Sequence, residues 1–240
     1  MQIKRIDFYD NKAVGFSAQK ISFSSHPQHK NITNITKDLF EKTLTEKEKM
    51  LAGKLYFAGD EQLRKDKAFA QDLWFRFNQL HPIERIQKKE IIKQLFGKTG
   101  ERFWIEHGFK CDYGYNIEIG ENFFANYNLV ILDPAKVVFG NDVLVGPNCG
   151  FYTPEHPLNP FLRATGQQVA KPINVGNNVW FGGNVTVLGG ANIGDNVVVG
   201  AGSVVTKDLP PNTLCLGTPC RAIKEIDVSN FDINEFKHLL

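Results

Sequence analysis

The stretch that decides the fold runs from residue 173 to 208 and reads INVGNN VWFGGN VTVLGG ANIGDN VVVGAG SVVTKD when cut into sixes. The third residue of each block is Val175, Phe181, Val187, Ile193, Val199 and Val205, and Gly usually follows it. An amphipathic helix repeats its apolar stripe about every 3.6 residues, so a period of six excludes one. The period predicts a coil of short strands, each sending one residue inward and then turning, with stacked coils burying one another's inward residues. Gly or Asn after the inward residue suits backbone with φ > 0.

The pattern extends upstream. Tyr113, Ile119, Ala125 and Ile131 keep the spacing, and a two-residue slip at Asp133-Pro134-Ala135 resets it to Phe139, Val145 and Phe151. An ordinary meander of short strands has no reason to hold so long a phase. Residues 152–172 (YTPEHPLNPFLRATGQQVAKP) interrupt the repeat. Such an insertion projects from one face of an array and is a natural place for a functional site.

Residues 1–100 carry 19 Lys and Arg against 12 Asp and Glu, with 5 of the 21 glycines; the remaining residues carry 9 against 14, with 16 glycines. The two halves therefore differ in architecture. Thr45-Glu46-Lys47-Glu48 fits a capping box ahead of Met50, Leu51 and Leu55. Asp60 caps a second helix with Leu63, Ala70, Leu73, Trp74 and Phe77 on one stripe. Pro82 opens a third, with Ile83, Ile86, Ile91, Ile92 and Leu95 apolar and Gly97 closing it. The organisation expected is an N-terminal extension (1–44) without an assigned role, a helical cap (45–100), a repeat domain (101–226) bearing the loop, and a tail (227–240).

Composition bounds the function. At 42% hydrophobic and 22% charged, the 240 residues suit a soluble protein with a core. No run approaches the roughly 18 apolar residues of a membrane span, and MQIKRIDFYD lacks the apolar stretch of a secretory signal. Cys111, Cys149, Cys215 and Cys220 form no CxxC pair, so a reducing cytoplasm is expected. The net charge of +2 gives no basis for a nucleic-acid or membrane partner.

The stretches AGKLY (52–56), CDYGYNIEIG (111–120), NFFANYNLVILD (122–133), TPEHPL (153–158), VGNNVWFGG (175–183), VGAGSVVTKDLPPN (199–212) and GTPCRAIKEI (217–226) resemble, in order, the maltose/galactoside O-acetyltransferases of the hexapeptide-repeat superfamily. The resemblance implies a mainly β fold, a left-handed parallel β-helix, and a homotrimer with active sites between subunits. It implies acetyl-CoA as donor, a sugar hydroxyl as acceptor, direct transfer, and no metal.

His156, between Glu155 and Pro157, matches the family's catalytic base. A histidine suits that task because its neutral form is available near neutral pH. A metal hydratase would need about three converging His ligands, and the repeat offers His156 with only His107 at its edge. By resemblance, Asn126, Asp112 and Asp133 contact the acceptor, with Asn128 competing for the role of Asn126. Each also suits a coil turn. Asp60 is either a further acceptor contact or only a helix cap; the family's acidic position falls two residues earlier, at Ala58. Trp180 either walls the site or packs. For the donor, the resemblance implies Gly183, whose N–H can bond the thioester carbonyl, together with Ala201, Thr206, Lys207, Arg221 and Lys224. The last two share a face if the tail is helical. Cys149 reads as packing, not as a nucleophile. Other acceptors of related enzymes (cell-surface glycans, lipo-oligosaccharides, antibiotics) and a non-enzymatic scaffold are the alternatives.

Overall fold

In the computed structural model, which describes residues 44–229, the repeat forms a solenoid of about six turns with three parallel faces. Face I carries β2 (Phe103–Ile105), β5 (Phe123–Ala125), β8 (Leu144–Val145), β13 (Trp180–Phe181), β16 (Val198–Val199), β18 (Thr213–Gly217) and β19 (Cys220–Glu225). Face II carries β3 (Lys110–Cys111), β6 (Val130–Leu132), β9 (Gly150–Tyr152), β14 (Thr186–Leu188) and β17 (Val204–Val205). Face III carries β4 (Ile117–Ile119), β7 (Val137–Phe139), β12 (Ile173–Val175) and β15 (Asn192–Ile193). The chain visits the faces in that order, once per turn. Val175 pairs with Ile193 and Phe181 with Val199, which sets an 18-residue coil in the second half.

Every residue of the expected inward phase is buried, and the Phe123, Phe139, Phe151 and Phe181 rings meet edge to face along the core. Tyr113 is the exception in kind. It packs with Met50, Tyr56 and Leu63 of the cap, and Cys111 fills the inward position, paired with Ile131. A second two-residue slip therefore follows Cys111, at the same corner as the slip after Leu132. Early coils are accordingly 20 residues long, with Ile131 opposite Phe151.

Two turn residues do different work. The left-handed position lies three residues after the inward one: Asn122, Asn128, Asp142, Asn148, Asn178, Asn184, Asn196 and Asn212 all have φ between 55° and 62°. Their side chains bond coil to coil, Asn128 Nδ2 donating to Asn148 Oδ1 at 2.9 Å and Asn196 Nδ2 to Asn212 Oδ1 at 2.7 Å. The Gly directly after the inward residue serves close stacking instead. A Cβ on Gly182 would lie 2.6 Å from Ala201 N.

Three helices precede the solenoid. α1 (Glu46–Leu51) has the expected capping box at Thr45 and Glu48. α2 (Glu61–Gln79) starts at Asp60 and buries Leu63, Ala70, Leu73 and Phe77. α3 (Arg85–Leu95) begins later than expected, because His81 to Glu84 form a turn closed by Glu84 N–H donating to His81 O at 2.9 Å. Pro82 is thus outside the helix, and Ile83 and Ile86 are 79% and 73% exposed. The tail differs too. β19 is a strand running back along β18.

The insertion leaves after β9 as β10 (Pro154–Glu155), makes one turn of helix, α4 (Pro160–Arg163), and returns as β11 (Gln167–Ala170). β11 pairs with β10 and with β1 (Tyr56–Phe57), so the cap holds the loop from outside.

Candidate active site

The corner between faces II and III gathers one group of expected site residues. Asp112 follows β3, Asp133 follows β6, and the His156 loop follows β9, one above another. The two slips supply the extra residues that place Asp112 and Asp133 there. Thr153 ties the loop's root down, its N–H and its hydroxyl both donating to Leu132 O, at 3.1 and 3.0 Å. Gly189 lies beneath the root, where a Cβ would meet Thr153 O at 2.6 Å and Lys171 O at 3.0 Å. Thr206 and Lys207 follow β17 at the same corner and are exposed.

Asp133 is buried. Its Oδ1 accepts the Tyr113 and Asp112 N–H groups at 2.8 and 3.0 Å, while Oδ2 has no partner among the described residues. Burial pushes its carboxyl up to about 7, and the nearby Asp112 carboxylate adds to the rise. Asp112 itself meets Lys67 Nζ at 2.6 Å. Tyr56, fully buried, donates its hydroxyl to Gln168 Oε1 at 2.9 Å. Burial raises that phenol above its ordinary range, and the Asp112 charge adds to it. Gln168 Nε2 stands 3.4 Å from His156 Nε2, and His156, directly after β10, is exposed.

The corner between faces I and II holds the second group. Asn126, Gly183 and Ala201 follow β5, β13 and β16 on one edge, Gly183 and Ala201 on successive coils and Asn126 two coils from Gly183, with the β8 coil between. The structure separates the two asparagines: Asn128, with φ +62°, belongs to the turn ladder, whereas Asn126 Oδ1 accepts only the neighbouring Tyr127 N–H, at 2.8 Å. Nothing among the described residues accepts the Gly183 N–H. Asp60 Oδ1 takes the Gln62 and Leu63 N–H groups at 2.9 and 3.2 Å, so its carboxylate is engaged as a cap.

On face I, Trp104, Phe124, Leu144, Trp180, Val198 and Leu214 stand in lateral register on the outer side. Trp180 is 53% exposed. Face III shows mostly polar residues outward at the equivalent level, Glu118, Val138, Asn174 and Asn192. Arg221 lies opposite Leu216 and Lys224 opposite Leu214. The register shift in β19 thus puts both cations over alternate residues of β18, on one face, without a helix.

The structure does not bring the two groups together within one chain. Asn126 and Asp133 stand at opposite ends of the β6 segment of face II. Sequence reading missed Gln168, Tyr56 and Lys67, whose roles arise only when cap and loop pair. Cys149 is buried with Sγ 3.2 Å from Gly182 O, and burial raises its thiol, consistent with packing. His107 Nε2 faces the buried Lys88 Nζ at 2.6 Å, and burial holds that ammonium below its ordinary value. Among the described residues no three His, Cys, Asp or Glu side chains cluster to hold a metal, and no helix is long and apolar enough to cross a membrane.

Residues 49–100 match the maltose acetyltransferase hexapeptide capping motif, and residues 172–207 match the bacterial transferase hexapeptide, six repeats. Galactoside O-acetyltransferase of Escherichia coli K12 is 43% identical over 75% of this chain and 89% of its own. Among solved structures, a maltose O-acetyltransferase from Clostridium difficile 630 is 48% identical with a TM-score of 0.76, covering 78% of this chain and 100% of that one. A galactoside acetyltransferase in complex with coenzyme A is 42% identical with a TM-score of 0.75, over 77% and 92%. A hexapeptide-repeat acetyltransferase of Vibrio cholerae, complexed with acetyl coenzyme A, is 35% identical with a TM-score of 0.72, over 77% and 100%. A helical cap of this type on a six-residue-repeat solenoid with one long loop defines a hexapeptide-repeat acyltransferase. Within that class, the chain belongs to the maltose/galactoside O-acetyltransferase family.

Proposed function

We propose that this protein moves an acetyl group from acetyl-CoA to a hydroxyl of a sugar, with His156 as general base. The observation that carries the reading is the placement of its parts. The His156 loop stands over Asp112 and Asp133 at one corner, and Asn126, Gly183 and Ala201 stack at the next, in a chain whose relatives are named for this reaction.

His156 takes the acceptor hydroxyl's proton as the oxygen attacks the thioester carbonyl. The tetrahedral intermediate's oxyanion is received by the Gly183 N–H, a fixed donor that costs little reorganisation. Collapse breaks the C–S bond, and the imidazolium returns the proton to the departing CoA thiolate. Asn126, Asp112 and Trp180 orient the sugar; the buried Asp133 holds the Asp112 and Tyr113 backbone in place, and Asp60 serves as a helix cap. Ala201, Thr206, Lys207, Arg221 and Lys224 hold the donor, the cations facing its phosphates.

Two corners on opposite sides of face II become one cleft only when a second copy turns its face I/II corner toward the first copy's loop. A closed ring of three copies does this for every loop at once, and the apolar ladder on face I offers such a contact surface. We place the enzyme in the cytoplasm, where its free thiols stay reduced.

The test is CoA thiol release from acetyl-CoA with a panel of sugars, serine, and aminoglycosides. Release with a sugar, falling about 10²–10⁴-fold in His156→Ala, is expected. Release with only a non-sugar acceptor, or an unchanged rate in His156→Ala, contradicts the reading.

A further inference from the structure

The geometry points to Gln168 as the residue that fixes the proton on the His156 ring, with Tyr56 as its anchor. This rests on the role given to His156 above. Gln168 lies on β11, the strand clamped between β10 and β1, so its backbone is held on both sides. Its side chain is held as well. Tyr56 is fully buried among Met50, Leu63 and Tyr113, and its hydroxyl donates to Gln168 Oε1 at 2.9 Å. With the amide oxygen committed to Tyr56, the amide nitrogen faces His156 Nε2, 3.4 Å away.

An amide nitrogen only donates. The ring Nε2 facing it therefore accepts, and the ring's proton sits on Nδ1. The contact selects the Nδ1–H tautomer of the neutral ring, because an Nε2–H would point at another donor. Gln168 thereby selects the tautomer in which Nε2 carries the lone pair and aims that lone pair. The incoming hydroxyl replaces the amide at Nε2 when the sugar binds. The Glu155 and Asp112 carboxylates are already paired. Glu155 beside the ring meets Lys171 Nζ at 3.0 Å, and Asp112, beyond Tyr56, meets Lys67 Nζ at 2.6 Å. The neutral amide is therefore the polar group that sets the ring's state, and Gln168 is a positioning residue.

Steady-state kinetics of Gln168→Leu, Gln168→Glu and Tyr56→Phe across pH test this. Gln168→Leu lowers kcat about tenfold with the KM for acetyl-CoA within about twofold of wild type. Gln168→Glu supplies an acceptor that stabilises imidazolium, and the acid limb of kcat/KM moves to higher pH by about one unit. Tyr56→Phe gives part of the Gln168→Leu loss. Thermal melting of each variant separates misfolding from mispositioning. A Gln168→Glu profile superimposing on wild type, or an unchanged kcat in Gln168→Leu, overturns the inference. If His156→Ala is inactive while these variants behave as wild type, only this inference falls; if His156→Ala keeps its rate, the proposed mechanism falls first.

Discussion

Asp133 reaches back one coil to take the backbone N–H groups of Asp112 and Tyr113, at 3.0 and 2.8 Å, and so joins two coils at the corner beneath the His156 loop. Its other oxygen is buried without a partner among the described residues. Its folded value of about 7 stands above the ordinary carboxylate range near 4. The folded state therefore holds this proton where the unfolded state has lost it. Stability from this group is present below about pH 4 and is lost as pH rises towards 7, by an amount on the order of 4 kcal/mol. Asp133→Asn keeps an accepting oxygen and removes the charge. Urea unfolding of both proteins from pH 4 to 7 should show wild type losing stability relative to the variant as pH rises. A constant difference would contradict the buried, high-pKa assignment.

The two neighbouring asparagines should separate by assay. Asn128→Ala loses a ladder bond and puts a Cβ-bearing residue at φ +62° without the polar side chain that tolerates it. A cost of about 1–2 kcal/mol is expected in thermal melting, with activity retained. Asn128→Gly should recover part of it. Asn126→Ala should show the reverse, near-native melting and a strong loss of turnover.

Gly189 links the solenoid to the loop. An added Cβ would press on Thr153 O and Lys171 O, the two roots of the insertion. Gly189→Ala should cost about 1–3 kcal/mol and lower kcat for sugar acetylation while leaving the acetyl-CoA affinity nearly intact. Isothermal titration with CoA beside the kinetic assay checks both halves.

Arg221 and Lys224 stand on one face of the terminal hairpin. If both meet CoA phosphates, each charge-assisted contact is worth about 1.5–3 kcal/mol. Arg221→Ala should then raise the KM for acetyl-CoA by roughly tenfold or more, and added salt should weaken binding in wild type more than in the variant. Equal salt dependence would remove Arg221 from the donor site.

The solenoid was legible because its signal is repeated. Phe181 or Val199 alone says little, but one buried position every six residues leaves few alternatives. Helix caps were legible for a local reason, since Thr45 and Asp60 act on N–H groups two or three residues away. Features set by distant contacts were not. Tyr113 kept the period while belonging to the cap, because the slip after Cys111 left no mark in residue type. Pro82 looked like a helix start, yet the turn from His81 to Glu84 took it. The tail's Cys220–Glu225 strand had no alternation to announce it. Of the site, His156 and the corner carboxylates were readable from motif context. The Tyr56–Gln168 contact was not, because it joins residues 112 apart in the chain.

In the proposed mechanism, His156 of one copy works with Asn126 of another. Co-expressing His156→Ala and Asn126→Ala chains with two different tags, and purifying mixed oligomers through both, tests it directly. In every closed ring of three that contains both chains, one of the three shared clefts should carry both native residues. Acetyl transfer should therefore return to roughly that fraction of wild type, although each variant alone is inactive. Mixed oligomers as inactive as the parents would place both residues in one chain's site and contradict the account.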